Sequence, residues 1–69
     1  MTKEEVDRIA RKKPFEPFEV RLVDGERWTF RSPEEFIVSR SAIHTLDRNG
    51  DGYLISLPLI SRIRILRRA

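Results

Sequence analysis

A mainly β protein, in which one N-terminal α-helix precedes a small, strongly bent five-stranded barrel, is the architecture expected for residues 1–69. Three observations carry that expectation. Apolar residues recur at helical spacing only near the start of the chain, and from Phe15 onward the period becomes two. Turn signals then follow one another closely, at Asp24-Gly25, Ser32-Pro33, Asn49-Gly50, Asp51-Gly52 and Pro58. Short strands at such spacing mark sandwiches or barrels, and a sandwich would need more than 69 residues.

The helix is expected over about 3–13. Thr2 and Glu5 have the spacing of a capping box, in which the hydroxyl accepts from the Glu5 amide and the carboxylate reaches back. Glu4, Glu5 and Asp7 suit the positive end of the helix dipole, Arg11, Lys12 and Lys13 suit the negative end, and Pro14 stops the helix. Val6, Ile9 and Ala10 form a thin apolar stripe, wide enough to lie across a sheet but too narrow for a bundle. The β-barrel is expected over about 15–67. Phe18, Val20 and Leu22 share one strand face, and after the Asp24-Gly25 turn Trp28 and Phe30 point inward from residues 26–31. Ser32-Pro33 suits one short helical turn or a sharp bend. Strands follow at 36–40, 42–46 and 53–57. A tight 3₁₀ corner at Pro58-Leu59-Ile60 leads to a last strand over 61–66, with Ile63 and Ile65 inward and Arg62 and Arg64 outward.

One domain of this size buries only about 60% of its unfolded surface, so its core is marginal without reinforcement. The chain has no cysteine and one histidine, His44, which excludes disulfides and a Cys/His zinc site. Regular packing or self-association remains, and a homo-oligomer is expected, since Leu54, Leu59, Ile60 and Leu66 lack an obvious place inside so small a domain. No apolar run approaches a membrane span, and the N-terminus lacks the apolar core of a secretory signal, so a cytoplasmic protein is expected. Catalysis has little support: no cysteine nucleophile and no glycine-rich phosphate loop are present, and an enzyme and a cofactor are not expected.

Residues 47–52, DRNGDG, spell the front of a calcium-binding EF-hand loop, with Asp47, Asn49, Asp51 and Gly52 in place. The twelfth position, where a bidentate Glu belongs, is Pro58. Strand-like rather than helical segments flank the stretch, so a hairpin turn between 42–46 and 53–57 is the simpler reading. Weak calcium binding at this turn is the remote alternative.

Charge is uneven. Residues 1–13 carry a net +2, residues 14–51 a net −3, and residues 52–69 a net +4 with no acid, within a total of +3. Eleven of the fourteen cations are arginine, the side chain suited to planar, bidentate recognition of phosphate. Arg11, Lys12 and Lys13 form one candidate nucleic-acid-binding patch, and Arg62, Arg64, Arg67 and Arg68 another. Trp28, Phe30 and Tyr53 are candidate stacking platforms, of which only Tyr53 is expected to be exposed.

The helix, the basic cluster at its end, the strand running into Leu22-Val23-Asp24-Gly25 and the closing strand–3₁₀–strand resemble the Sm-like fold, including the bacterial Hfq family. Pro14-Phe15-Glu16-Pro17-Phe18 and Ser32-Pro33-Glu34-Glu35-Phe36 resemble a group of small bacterial proteins of planctomycete type, over nearly the whole chain. The first resemblance implies an Sm-like or SH3-like barrel, a homo-oligomer or ring built by edge-strand pairing, and a basic rim touching the backbone of RNA or single-stranded DNA. The second implies no activity. The Hfq-type Y-K-H motif has no counterpart in Leu57-Pro58-Leu59-Ile60, so pore-type uridine binding is not implied. The alternative to nucleic-acid binding is a structural or protein–protein interaction module.

Overall fold

The computed structural model describes residues 1–66. Its elements in chain order are α1 (Lys3–Ala10), β1 (Phe18–Leu22), β2 (Arg27–Phe30), a 3₁₀ turn at Pro33–Glu35, β3 (Phe36–Val38), β4 (Ala42–Leu46), β5 (Gly52–Ser56), a second 3₁₀ turn at Leu57–Leu59, and β6 (Ile60–Ile65). The strands form two three-stranded antiparallel sheets, ordered β2-β1-β6 and β3-β4-β5. Six strands in two sheets thus stand where a small, strongly bent five-stranded barrel was expected, and the sheets do not close into a barrel. The division falls at Ser32-Pro33: proline cannot donate to a ladder, and Pro33 opens the 3₁₀ turn that separates β2 from β3. Pro58 sits in the equivalent turn between β5 and β6.

The helix starts as its capping box requires. Thr2 accepts from the Glu5 amide at 3.2 Å, and Glu5 accepts from the Thr2 amide at 2.9 Å. The Thr2 amide, with the Thr2 hydroxyl beside it, holds the Glu5 carboxyl below its usual range. Helical structure ends at Ala10 rather than near residue 13. The Arg11 amide still reaches the Asp7 carbonyl, but the Lys12 amide turns to Ile9, three residues back. Pro14 bars its predecessor from helical geometry, so Arg11, Lys12 and Lys13 lie in the exit turn, leaving Arg8 as the basic residue of the last helical turn.

Alternation sets the core. Phe18 and Val20 from β1, Phe30 from β2, Phe36 from β3, Ile43 and Ile55 from β4 and β5, and Val6 and Ala10 from the helix are buried together. Phe18 and Phe30 face each other across β1 and β2, with ring centroids 5.5 Å apart. Phe36 of the other sheet meets both, at 5.5 Å and 4.9 Å. Trp28 of β2 and Tyr53 of β5 make a second bridge between the sheets at 5.0 Å. Ile60, for which the sequence suggested no place, is buried with the core, whereas Ile63 and Ile65 are only half-buried.

The 3₁₀ corners are pinned by polar contacts. Buried Thr45 donates to the Glu35 carbonyl at 2.8 Å, and Glu35 accepts from the Arg31 amide at 2.8 Å. The Leu57–Leu59 corner accepts from the N-terminal amine at 3.3 Å and from the Val23 amide at 2.9 Å, and it donates to the Ser41 carbonyl at 2.9 Å. No helix among the described residues is long and apolar enough to cross a membrane.

Phe36 links the sheets, so Phe36→Ala is expected to destabilise the fold by about 3–5 kcal/mol. Phe36→Leu should cost clearly less. Urea unfolding of the two variants beside the parent measures both losses, and equal midpoints for all three would contradict this account of the core.

Candidate nucleic-acid interface

The first basic cluster stands where the chain leaves the helix. Arg11, Lys12 and Lys13 are exposed and, with Ala10, Phe15 and Pro33, line a surface pocket of about 450 Å³. Lys12 is engaged locally, its Nζ 2.6 Å from the Glu16 carboxylate. The ammonium is half exposed but the carboxylate oxygen it meets is buried, so Lys12 is held by its partner, whereas Arg11 and Lys13 form no ion pair among the described residues.

The second cluster is carried by β6. Ile63 packs against the core, and alternation therefore turns Arg62 and Arg64 outward, where both are exposed. Arg67 and Arg68 lie outside the described residues. The two described clusters belong to different elements, and no hydrogen bond or ion pair joins them among the described residues. What the register does bring to Arg62 is Arg21, directly opposite on β1, which in turn faces Arg27 on β2. Neither Arg21 nor Arg27 was singled out by the sequence, because their alternation marks them only as solvent-facing. Glu19, the acid directly opposite Arg64, forms no ion pair with it among the described residues.

The aromatic candidates divide. Phe30 is core, Trp28 is half-buried and donates its indole N–H to Glu26 at 2.7 Å, and Tyr53 is exposed with its ring against Trp28. Tyr53 therefore offers one free face at most.

Residues 47–51 are the β4–β5 hairpin turn, and β5 begins at Gly52, one residue earlier than the sequence suggested. One Asp47 oxygen accepts from the amides of Asn49 at 2.8 Å and Asp51 at 3.0 Å. Gly50 supplies the positive φ of 85° that the reversal needs. Asp47 thus closes its own turn, and no group of three His, Cys, Asp or Glu that could hold a metal ion occurs among the described residues. His44 is exposed on β4, its Nε2 3.0 Å from the Ser39 hydroxyl.

Amide donors, led by that of Asp51 and with the Tyr53 hydroxyl contributing, lower the Asp47 pKa; the hydrogen bond and charge of Asp47 raise that of Tyr53. The Asp47 contribution to the turn is therefore present above the unfolded carboxylate pKa and is lost as pH falls through the lowered value. The Tyr53 contribution is present below the unfolded phenol pKa and is lost as pH rises through the raised value. Asp47→Asn is expected to bring the phenol back down toward its ordinary titration range. Ultraviolet absorbance of the single tyrosine checks this, and an unshifted titration would disconnect the two side chains.

No protein-family model, curated protein or solved structure matches the chain.

Proposed function

We propose that this protein is a non-enzymatic, oligomeric binding module of the Sm-like kind, cytoplasmic, which meets the phosphate backbone of RNA or single-stranded DNA through its basic surfaces. The observation that carries the reading is the outward face of β6. Its isoleucines are turned toward the core, so Arg62 and Arg64 stand free of ion pairs among the described residues. Arg11, Lys12 and Lys13 supply the second contact surface. In this reading the two sheets are the halves of a bent barrel, opened at the corners that Pro33 and Pro58 make.

Self-association is the other half of the proposal. β5 and β6 are edge strands on either side of the Leu57–Leu59 corner. Unpaired edges invite pairing with another chain, and β5-to-β6 pairing between copies would remove both. A protein–protein role without nucleic acid is favoured by a different observation. Ile37, His44 and Leu54 lie in one cross-strand row on the outer face of β3-β4-β5, and both apolar members are about 70% exposed, at 71% and 69%.

Fluorescence anisotropy with a labelled single-stranded oligonucleotide at low salt tests the nucleic-acid reading. Binding at micromolar protein that weakens steeply with salt is expected; its absence would sink this reading and leave the interaction module. Light scattering at tens of micromolar protein should give a multimer, and a monomer there would remove the assembly.

A further inference from the structure

The outer face of β2-β1-β6 carries a row that no local pattern announces. Arg27, Arg21 and Arg62 occupy one cross-strand line, with Arg21 in the middle directly opposite both neighbours. Residues so paired project from the same side of a sheet with Cβ atoms about 4.5–5.5 Å apart. Three guanidinium groups are therefore rooted across a width of about 10 Å, two strand spacings. None of the three makes a hydrogen bond or ion pair with another described residue.

Acids near the row form no ion pair with it among the described residues. Asp24 accepts from the Glu26 amide at 2.9 Å, and Glu26 accepts from the Trp28 indole at 2.7 Å. Glu19 belongs to the next line along β1, between Thr29 and Arg64. Like charges directly opposed across strands are destabilising. The arrangement thus carries an electrostatic cost that an anion lying along it would relieve.

The row is also held in register. Arg21 pairs with Arg62 while Leu22 pairs with Ile60, so Ser61 is an extra residue, a bulge. Its hydroxyl donates to the Arg21 carbonyl at 3.0 Å, fixing the two strands where the arginines meet.

We infer that the Arg27–Arg21–Arg62 row is a backbone-binding track for a single nucleic-acid strand, crossing the sheet from β2 to β6. The inference rests on the nucleic-acid reading above and adds a site on a different part of the molecule from the Arg11–Lys13 turn. Charge spacing supports the choice of ligand: a stacked strand carries one phosphate per about 3.4 Å of axis, so about three fall within the width of the row. Each guanidinium is a planar fork that matches phosphate oxygens two at a time.

The test compares four proteins by anisotropy with a single-stranded RNA of about 20 nucleotides, longer than one small-barrel site, over a range of salt. These are the parent, the triple variant Arg21→Gln, Arg27→Gln and Arg62→Gln, the triple variant Arg11→Gln, Lys12→Gln and Lys13→Gln, and the single variant Glu19→Gln. Losing three phosphate contacts should flatten the slope of log K against log salt by about 2 and weaken binding on the order of tenfold to a hundredfold at low salt. The row variant should stay folded, with a melting temperature equal to or above that of the parent, because mutual repulsion is removed. Glu19→Gln removes a neighbouring negative charge without touching the row, and it should tighten binding a few-fold.

If the parent binds and the row variant keeps its affinity and slope, the track is overturned while the nucleic-acid reading stands. If the parent does not bind RNA, both fall. Polyglutamate or inorganic phosphate competing as well as RNA at equal charge concentration would also overturn it, by making the row a general anion site.

Discussion

The packing of Phe18, Phe30 and Phe36 is the contact on which the remaining structure depends. Phe18 and Phe30 are cross-strand partners in one sheet, while Phe36 begins the first strand of the other. Their rings are within 5.5 Å of one another, centroid to centroid. Aromatic pairs in such tilted and edge-on arrangements contribute about 0.5–1.5 kcal/mol each beyond the area they bury. The sheets share no ladder across the Pro33 turn, so side-chain packing must join them there. Val6 and Ala10 complete the core from the helix, and Trp28 against Tyr53 joins the sheets a second time.

That arrangement also sets where charge can go. With Phe18 and Val20 turned inward, Glu19 and Arg21 must face outward, and the same alternation exposes Arg62 and Arg64 on β6. The small core thus places Arg21, Arg62 and Arg64 on the outer face of one sheet, while Arg11, Lys12 and Lys13 line the pocket at the helix exit. The exposed Ile37 and Leu54 on the opposite sheet give the molecule a second, chemically distinct face, suited to protein contact.

Much of the fold could be read locally. The capping box, the Asp24-Gly25 hairpin, β4 and the two proline-containing 3₁₀ turns depend on residues within a few positions of each other, and the structure has them. DRNGDG was legible as a turn for the same reason, since Pro58 and the flanking alternation spoke against a calcium loop. Boundaries were less legible. Whether Arg11 to Lys13 continue the helix depends on how far upstream Pro14 acts, and whether Ile60 or Ile65 fills the core depends on the Ser61 bulge, which shifts the β6 register.

The sequence by itself determined the element types and the sidedness of β1, β2 and β6, because period and turn chemistry are local properties. Only the tertiary structure decided that the strands form two sheets, which apolar residues remain outside, and that Arg21, Arg27 and Arg62 form one line. Residues 21 and 62 are far apart in the chain, and nothing in either neighbourhood specifies their register. The packing of Val20 and Ile63 and the Ser61 bulge set that register, so the arginine row emerges only when β6 docks against β1.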